Sequence, residues 1–146
     1  MVETREAEHA DDLLEYADPR DPLVWLRRGE GFVAVGGAAP VAAIHIPGGE
    51  AERSVRMAEA WRALSADAVV DDAVQVPGTG LVGFTALAFD DRSAAASVLI
   101  VPSVIVGRRG GRSWITRITR EGAPLPEAPT APTPYGPHWS ATLGPG

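Results

Sequence analysis

The side chains able to do chemistry are few and scattered. The histidines are His9, His45 and His138, and none lies at helical or strand spacing from another. Cysteine is absent, which removes disulfides, thiolate nucleophiles and thiolate metal ligands together. A metal site would need carboxylates gathered by the fold, and no local cluster offers them. The pairs Asp71-Asp72 and Asp90-Asp91 lie in polar stretches that read as turn formers rather than as an acid/base couple. No Gly-x-Ser-x-Gly element presents a serine nucleophile. All 13 basic residues are arginine. A guanidinium keeps its proton at any accessible pH, so the chain has no amine to activate a water or form a Schiff base. The same usage also fits a GC-rich genome, which favours arginine over lysine. No catalytic, cofactor-binding or metal-binding residue is assigned from these observations.

Two glycine-rich segments invite a phosphate. Gly29-Glu30-Gly31-Phe32-Val33-Ala34 matches the dinucleotide pattern in letters. That pattern must follow a strand and open a helix, so that the helix N-terminus meets the pyrophosphate. Here it precedes a strand, and a turn into that strand is the better reading. Gly107 to Arg112 holds three arginines and three glycines, and reads as a solvated hairpin turn.

The elements that would position such residues follow from pattern. Phe32 to Val35 and Val41 to Ile46 are short apolar runs separated by Gly36, Gly37 and Pro40, and read as strands. The uncharged stretch Gly31 to Gly49 is long enough to suggest a membrane span. Its five glycines, Pro40 and Pro47 argue for two strands and a turn instead. A helix is predicted from Glu50 to about Asp67, with Val55, Ala58, Trp61 and Leu64 on one apolar stripe. Glu50 and Glu52 fall in its first turn, where the helix dipole favours carboxylates. Asp11 to Ala17 reads as a short helix. Strands are predicted at Ala73 to Val76, Leu81 to Phe89, Ser97 to Val106 with Pro102 inside, and Ser113 to Thr119. The last three form an antiparallel meander. Both faces of Ser97 to Val106 are apolar, so its sheet expects a layer on each side. One helix covers part of one face, and a layer is missing.

The class is therefore α+β: an antiparallel meander with one main amphipathic helix. Residues 1–21 form an acidic, weakly patterned N-terminal segment, residues 22–120 the β-rich portion, and residues 121–146 a linker or tail that holds seven of the 13 prolines. Hydrophobic residues make up 45% of the chain and its formal charge is -6, so a core is affordable and nothing favours nucleic acid or an anionic membrane. The acidic start, Met1 to Glu8, has no apolar stretch of a secretory signal, and a cytoplasmic location is expected.

Three strings carry a resemblance. They are Trp25 to Gly36; Pro77-Gly78-Thr79-Gly80-Leu81-Val82-Gly83-Phe84 running on to Asp90; and Ser97 to Gly107 followed by Gly111-Arg112-Ser113-Trp114-Ile115-Thr116. In order and spacing, from about Asp21 to Ile118, they resemble the N-terminal part of actinobacterial isochorismate synthases, members of the chorismate-utilising enzymes. The resemblance implies layered antiparallel sheets flanked by helices. It implies conversion of chorismate to isochorismate for menaquinone or siderophore synthesis. It implies a lysine base, a glutamic acid that protonates the departing hydroxyl, and glutamates holding Mg2+ on the substrate carboxylate. Those groups belong to the family's C-terminal part, and none is carried over to a residue here. Chorismate is thus expected as a ligand only in a full-length context, and this chain alone is expected to be inactive. Anthranilate and salicylate synthases are siblings; Leu13-Leu14-Glu15-Tyr16 matches three letters of the anthranilate enzyme's Leu-Leu-Glu-Ser and reads as coincidence. The alternative expectation is a non-catalytic module that pairs, with itself or a partner, through the uncovered apolar sheet.

Overall fold

Two sheets and one helix emerge from this sequence in a computed structural model that describes residues 1–8 and 10–130. The larger sheet contains β1 (Val2–Ala7), β2 (Val24–Arg27), β3 (Glu30–Ala34), β5 (Val70–Asp72), β8 (Val104–Arg109) and β9 (Arg112–Ile118), in the order β2-β3-β8-β9-β1-β5. The smaller sheet holds β4 (Ala42–Ile46), β6 (Phe84–Ala86) and β7 (Ser97–Val101), in the order β4-β7-β6. Among the described residues a single α-helix, α1 (Arg53–Ala66), lies between β4 and β5 in sequence. Every strand pair is antiparallel except β1 with β5. The α+β class holds.

The N-terminal strand is the largest departure from the sequence reading. Val2–Ala7 fell in the weakly patterned acidic segment, yet β1 runs between β9 and β5. Its alternation explains why. Val2 and Thr4 are buried on the core side, where Thr4 Oγ1 lies 2.8 Å from Thr116 Oγ1 in a cross-strand hydrogen bond. Glu3 and Arg5 point the other way, and Glu3 receives a hydrogen bond from Arg117. A period of two is the mark of a strand with one wet face, and here the charged residues conceal it. Asp11 to Ala17 forms one 3-10 turn, Leu13–Tyr16, capped by Asp12, whose Oδ1 accepts from Leu14 N at 2.9 Å.

The run Ser97 to Val106 is two strands and not one. Pro102 has no N–H to donate and cannot continue a ladder. The chain changes sheets there. Val41 N donates to Val101 O at 2.8 Å on one side of the break, and Val35 N to Val104 O at 2.9 Å on the other. The expected three-strand meander becomes two antiparallel pairs, β6–β7 and β8–β9, in separate sheets. The same logic separates Gly31 to Gly49: both predicted strands form, but β3 pairs with β8 and β4 with β7.

The break also supplies a layer on each side of the second half of that run, Val104 to Val106. Val104, Ile105 and Val106 are fully buried by the chain's own residues. Val106 joins Ala10, Leu13 and Val33 on one side. Ile105 joins Val2, Val101 and Ile118 on the other, where Trp61, Leu64, Leu81 and Val82 pack against them. Trp114, buried at 0%, lies flat over Gly107, its cross-strand partner. A Cβ on Gly107 would sit 2.3 Å from the indole, so only glycine fits.

Helix α1 begins later than predicted, and its inner stripe is turned. Arg53 and Met57 are buried, Trp61 and Leu64 pack on the core, and Val55 is half exposed. The Arg53 guanidinium explains the turn. It donates to Ala95 O at 2.6 Å, to Ser93 O at 3.3 Å and to Asp90 O, which draws the first turn inward at that position. No acidic residue occupies the first helical turn; Glu52 is the left-handed N-cap (φ 56°) and Glu50 pairs with Arg56. The strands predicted at Ala73 to Val76 and Leu81 to Phe89 shift and shrink to β5 and β6. Asp72 stops β5, because its Oδ1 accepts from the Val74 and Gln75 amides at 2.9 Å each and folds the chain into a turn.

Candidate functional site

Each residue weighed for chemistry takes a structural position. Asp71 forms an ion pair with Arg5, whose hydrogen bond holds its carboxyl below the usual 3.8. Burial pushes Asp72 upward, but the Thr79 hydroxyl and the Gln75 and Val74 amides outweigh it and leave it below 3.8. Arg92 bonds Asp90 at 2.9 Å through Nη2 and lowers it likewise. Asp91 lies 3.8 Å from Arg53 Nε. Asp72 and Asp90 hold turns, in agreement with the sequence reading, whereas Asp71 is a residue of β5. Gly29–Gly31 is a hairpin turn: Arg28 and Gly29 take φ of 55° and 76° between β2 and β3, the values of a type I′ turn. Gly110 and Gly111, at 57° and 76°, do the same between β8 and β9. Arg108 donates to Asp11 O at 2.8 Å and Gly29 O at 2.6 Å, and Arg112 donates to Val74 O at 3.1 Å and to Glu6. These two guanidinium groups tie loops together. His45 is exposed on β4; His9 and His138 lie outside the described residues. Among the described residues no three His, Asp or Glu side chains gather as a metal would require.

What the fold does assemble is apolar surface. On the outer face of the small sheet, Phe84 pairs with Ile100 and Ala86 with Val98. Opposite, Ile46, Leu99 and Met57 form the covered side against α1. Just beyond β6 the chain exposes Leu87 at 49% and Phe89 at 106%. The outer face reaches the large sheet through an edge-to-face contact of Phe84 with Phe32, centroids 5.6 Å apart. Two clefts meet there. One of about 350 Å³ runs between Leu23, Phe84 and Ile100, and one of about 710 Å³ between Leu26, Pro77 and Arg109; both share Val24, Trp25 and Phe32. Trp25 stands 69% exposed at their junction. A third cleft, about 670 Å³, opens at the end of α1 over Val2, Leu64, Val101 and Ile118, with Arg120 on its lining.

Such surfaces bind by shape and hydrophobic contact. Sequence reasoning anticipated apolar strand surface at Leu81 to Phe89 and Ser97 to Val106, which contain β6 and β7. It passed over Trp25, Phe32 and Phe89, although Trp25 and Phe32 as cross-strand partners could have been read from the two-residue turn at Arg28-Gly29. No helix of the described residues is long and apolar enough to cross a membrane. No protein-family model, curated protein or solved structure matches the chain.

Proposed function

We propose that the chain is the N-terminal, non-catalytic portion of an enzyme resembling isochorismate synthase, in the chorismate-utilising family. It supplies framework, and the conversion of chorismate to isochorismate belongs to a catalytic part carrying the lysine base, the acid and the Mg2+-holding glutamates. The observation that supports this best is the outer face of β6 and β7. Both strands come from the strings that carry the resemblance; on that face Phe84, Val98 and Ile100 are half-buried, and just beyond β6 Leu87 and Phe89 are exposed. Exposed apolar side chains of this kind favour a packing partner. The complete absence of lysine agrees with chemistry supplied from elsewhere.

Purified chain given chorismate and Mg2+, with an auxiliary enzyme that consumes isochorismate, is expected to give no signal above the enzyme-free rate. Turnover would place the chemistry within these residues and defeat the proposal. Genomic DNA beyond the Gly146 codon supplies the complementary test. A frame with a lysine-bearing catalytic half supports the reading, and an unrelated neighbour sinks it.

A further inference from the structure

We infer that the cleft at the hairpin end of the large sheet binds a flat aromatic ring that carries an oxyanion, a carboxylate or a phosphate. This cleft, about 710 Å³, is lined by Trp25, Phe32, Pro77 and Gly78, and the exposed Arg27, Glu30 and Arg109 stand at its rim. No residue of β6 or β7 lines it, so the site is separate from the face that supports the framework reading. Trp25 and Phe32 are cross-strand partners on β2 and β3, so both rings stand on one face of the large sheet. Phe32 is fixed from two directions. Phe84 meets it edge-to-face at 5.6 Å, and a Cβ on Gly78 would sit 2.9 Å from Phe32 Cδ1. Trp25 has no such cover and is 69% exposed. An open indole beside a fixed phenyl ring is a stacking surface for a planar ligand.

Charge selects the ligand. Arg27 follows Trp25 by two positions, and Arg109 follows Gly107, the cross-strand partner of Phe32, by two. Both side chains therefore leave from the ring-bearing face. Elsewhere guanidinium groups hold acceptors of the fold: Arg108 and Arg120 hold carbonyls, and Arg112 and Arg117 hold glutamates. Among the described residues neither the Arg27 nor the Arg109 guanidinium forms a hydrogen bond or an ion pair. Glu30 stands between them, and its Oε1 accepts from the Gly110 amide at 2.9 Å. The three side chains sum to one positive charge, on a chain whose formal charge is -6. The strand order β2-β3-β8 sets Arg27 and Arg109 two strand spacings apart, roughly 10 Å, and their long stems let both reach one oxyanion. A guanidinium fork matches a carboxylate or phosphate bidentately. This inference goes beyond the framework reading and fails separately from it. Turnover of chorismate leaves these affinities standing, and absent binding leaves the chorismate result standing.

Isothermal titration of the full chain with 2-naphthoate and with 2-naphthyl phosphate tests it. Saturable binding of at least one is expected, and the tighter of the two identifies the oxyanion. The uncharged 2-naphthalenemethanol and the non-aromatic cyclohexanecarboxylate are each expected to bind about tenfold more weakly or less well still. Trp25→Ala, Arg27→Gln and Arg109→Gln, all at exposed sites, are expected to keep the circular dichroism spectrum and to weaken binding about tenfold. Arg62→Gln, exposed on α1 and outside the cleft, is expected to leave affinity unchanged. No saturable binding of either anion, equal affinity for the alcohol or the cyclohexane acid, or an equal loss in Arg62→Gln would overturn the inference.

Discussion

Asp72 shows how one carboxylate organises a loop that carries no regular structure. Its two oxygens hold the Val74 and Gln75 amides and the Thr79 hydroxyl, and so tie Ala73 to Gly80 to the end of β5. Because these donors favour the ionised form, the folded carboxyl titrates below its usual 3.8. The sign follows from linkage: the contribution is present above the ordinary carboxylate value and is lost as pH falls through the folded one. Asp72→Asn is expected to lower stability by about 1 kcal/mol at neutral pH, as for one or two lost charge-assisted hydrogen bonds. The gap from the parent chain should narrow as pH falls below the ordinary carboxylate range and through the lower value at which the folded carboxyl takes up its proton. Urea denaturation at both pH values measures it. The turn role of Asp72 and Asp90 was legible in the sequence, because their bonds to Val74, Gln75 and Arg92 are local, whereas Asp71 lies in β5 and bonds the distant Arg5. The inward turn of Arg53 was not, because its acceptors lie on Asp90, Ser93 and Ala95, about forty residues away, and no short-range pattern announces them.

Elements were legible where one physical rule dominated. The tight glycine turns at Gly29 and Gly110, the strands around Val33, Ile44 and Ile115, and the existence of α1 all follow from turn chemistry and apolar runs. Two features defeated that reading. Pro102 was accepted inside a strand, although a missing N–H argues for a break there. The alternation of Val2 to Ala7 was hidden by its charges, whose partners Arg117, Asp71 and Arg112 come from strands paired only in three dimensions. The helix stripe is testable at this scale. Met57→Arg should destabilise by about 3 kcal/mol or more, by placing an unpaired charge among Ile46 and Leu99. Val55→Arg, on the half-exposed side, should stay within about 0.5 kcal/mol. The phase read from sequence predicts the reverse order, and thermal melts of the two variants decide between them.

Across the whole molecule, the two sheets share one length of backbone. β7 and β8 are separated only by Pro102 and Ser103, and Val101 and Ile105 belong to a single core cluster. Losing one sheet therefore strips apolar cover from the other. Far-ultraviolet dichroism and tryptophan fluorescence are expected to report one coincident urea transition. Two separated midpoints would mean that the small sheet opens independently.

Strand β1 finds one neighbour, β5, midway along the chain and the other, β9, much later. Val2 lies opposite Ile118, and the Met1 ammonium donates to Thr119 O at 3.0 Å across 118 positions. On a ribosome adding about 5–20 residues per second, the first strand waits roughly 6–24 s before its partner exists. Throughout that interval Val2 and Thr4 have nothing to bury against on the β9 side. The nascent polypeptide thus emerges with its beginning held open for its end, and the large sheet closes as a late act of translation.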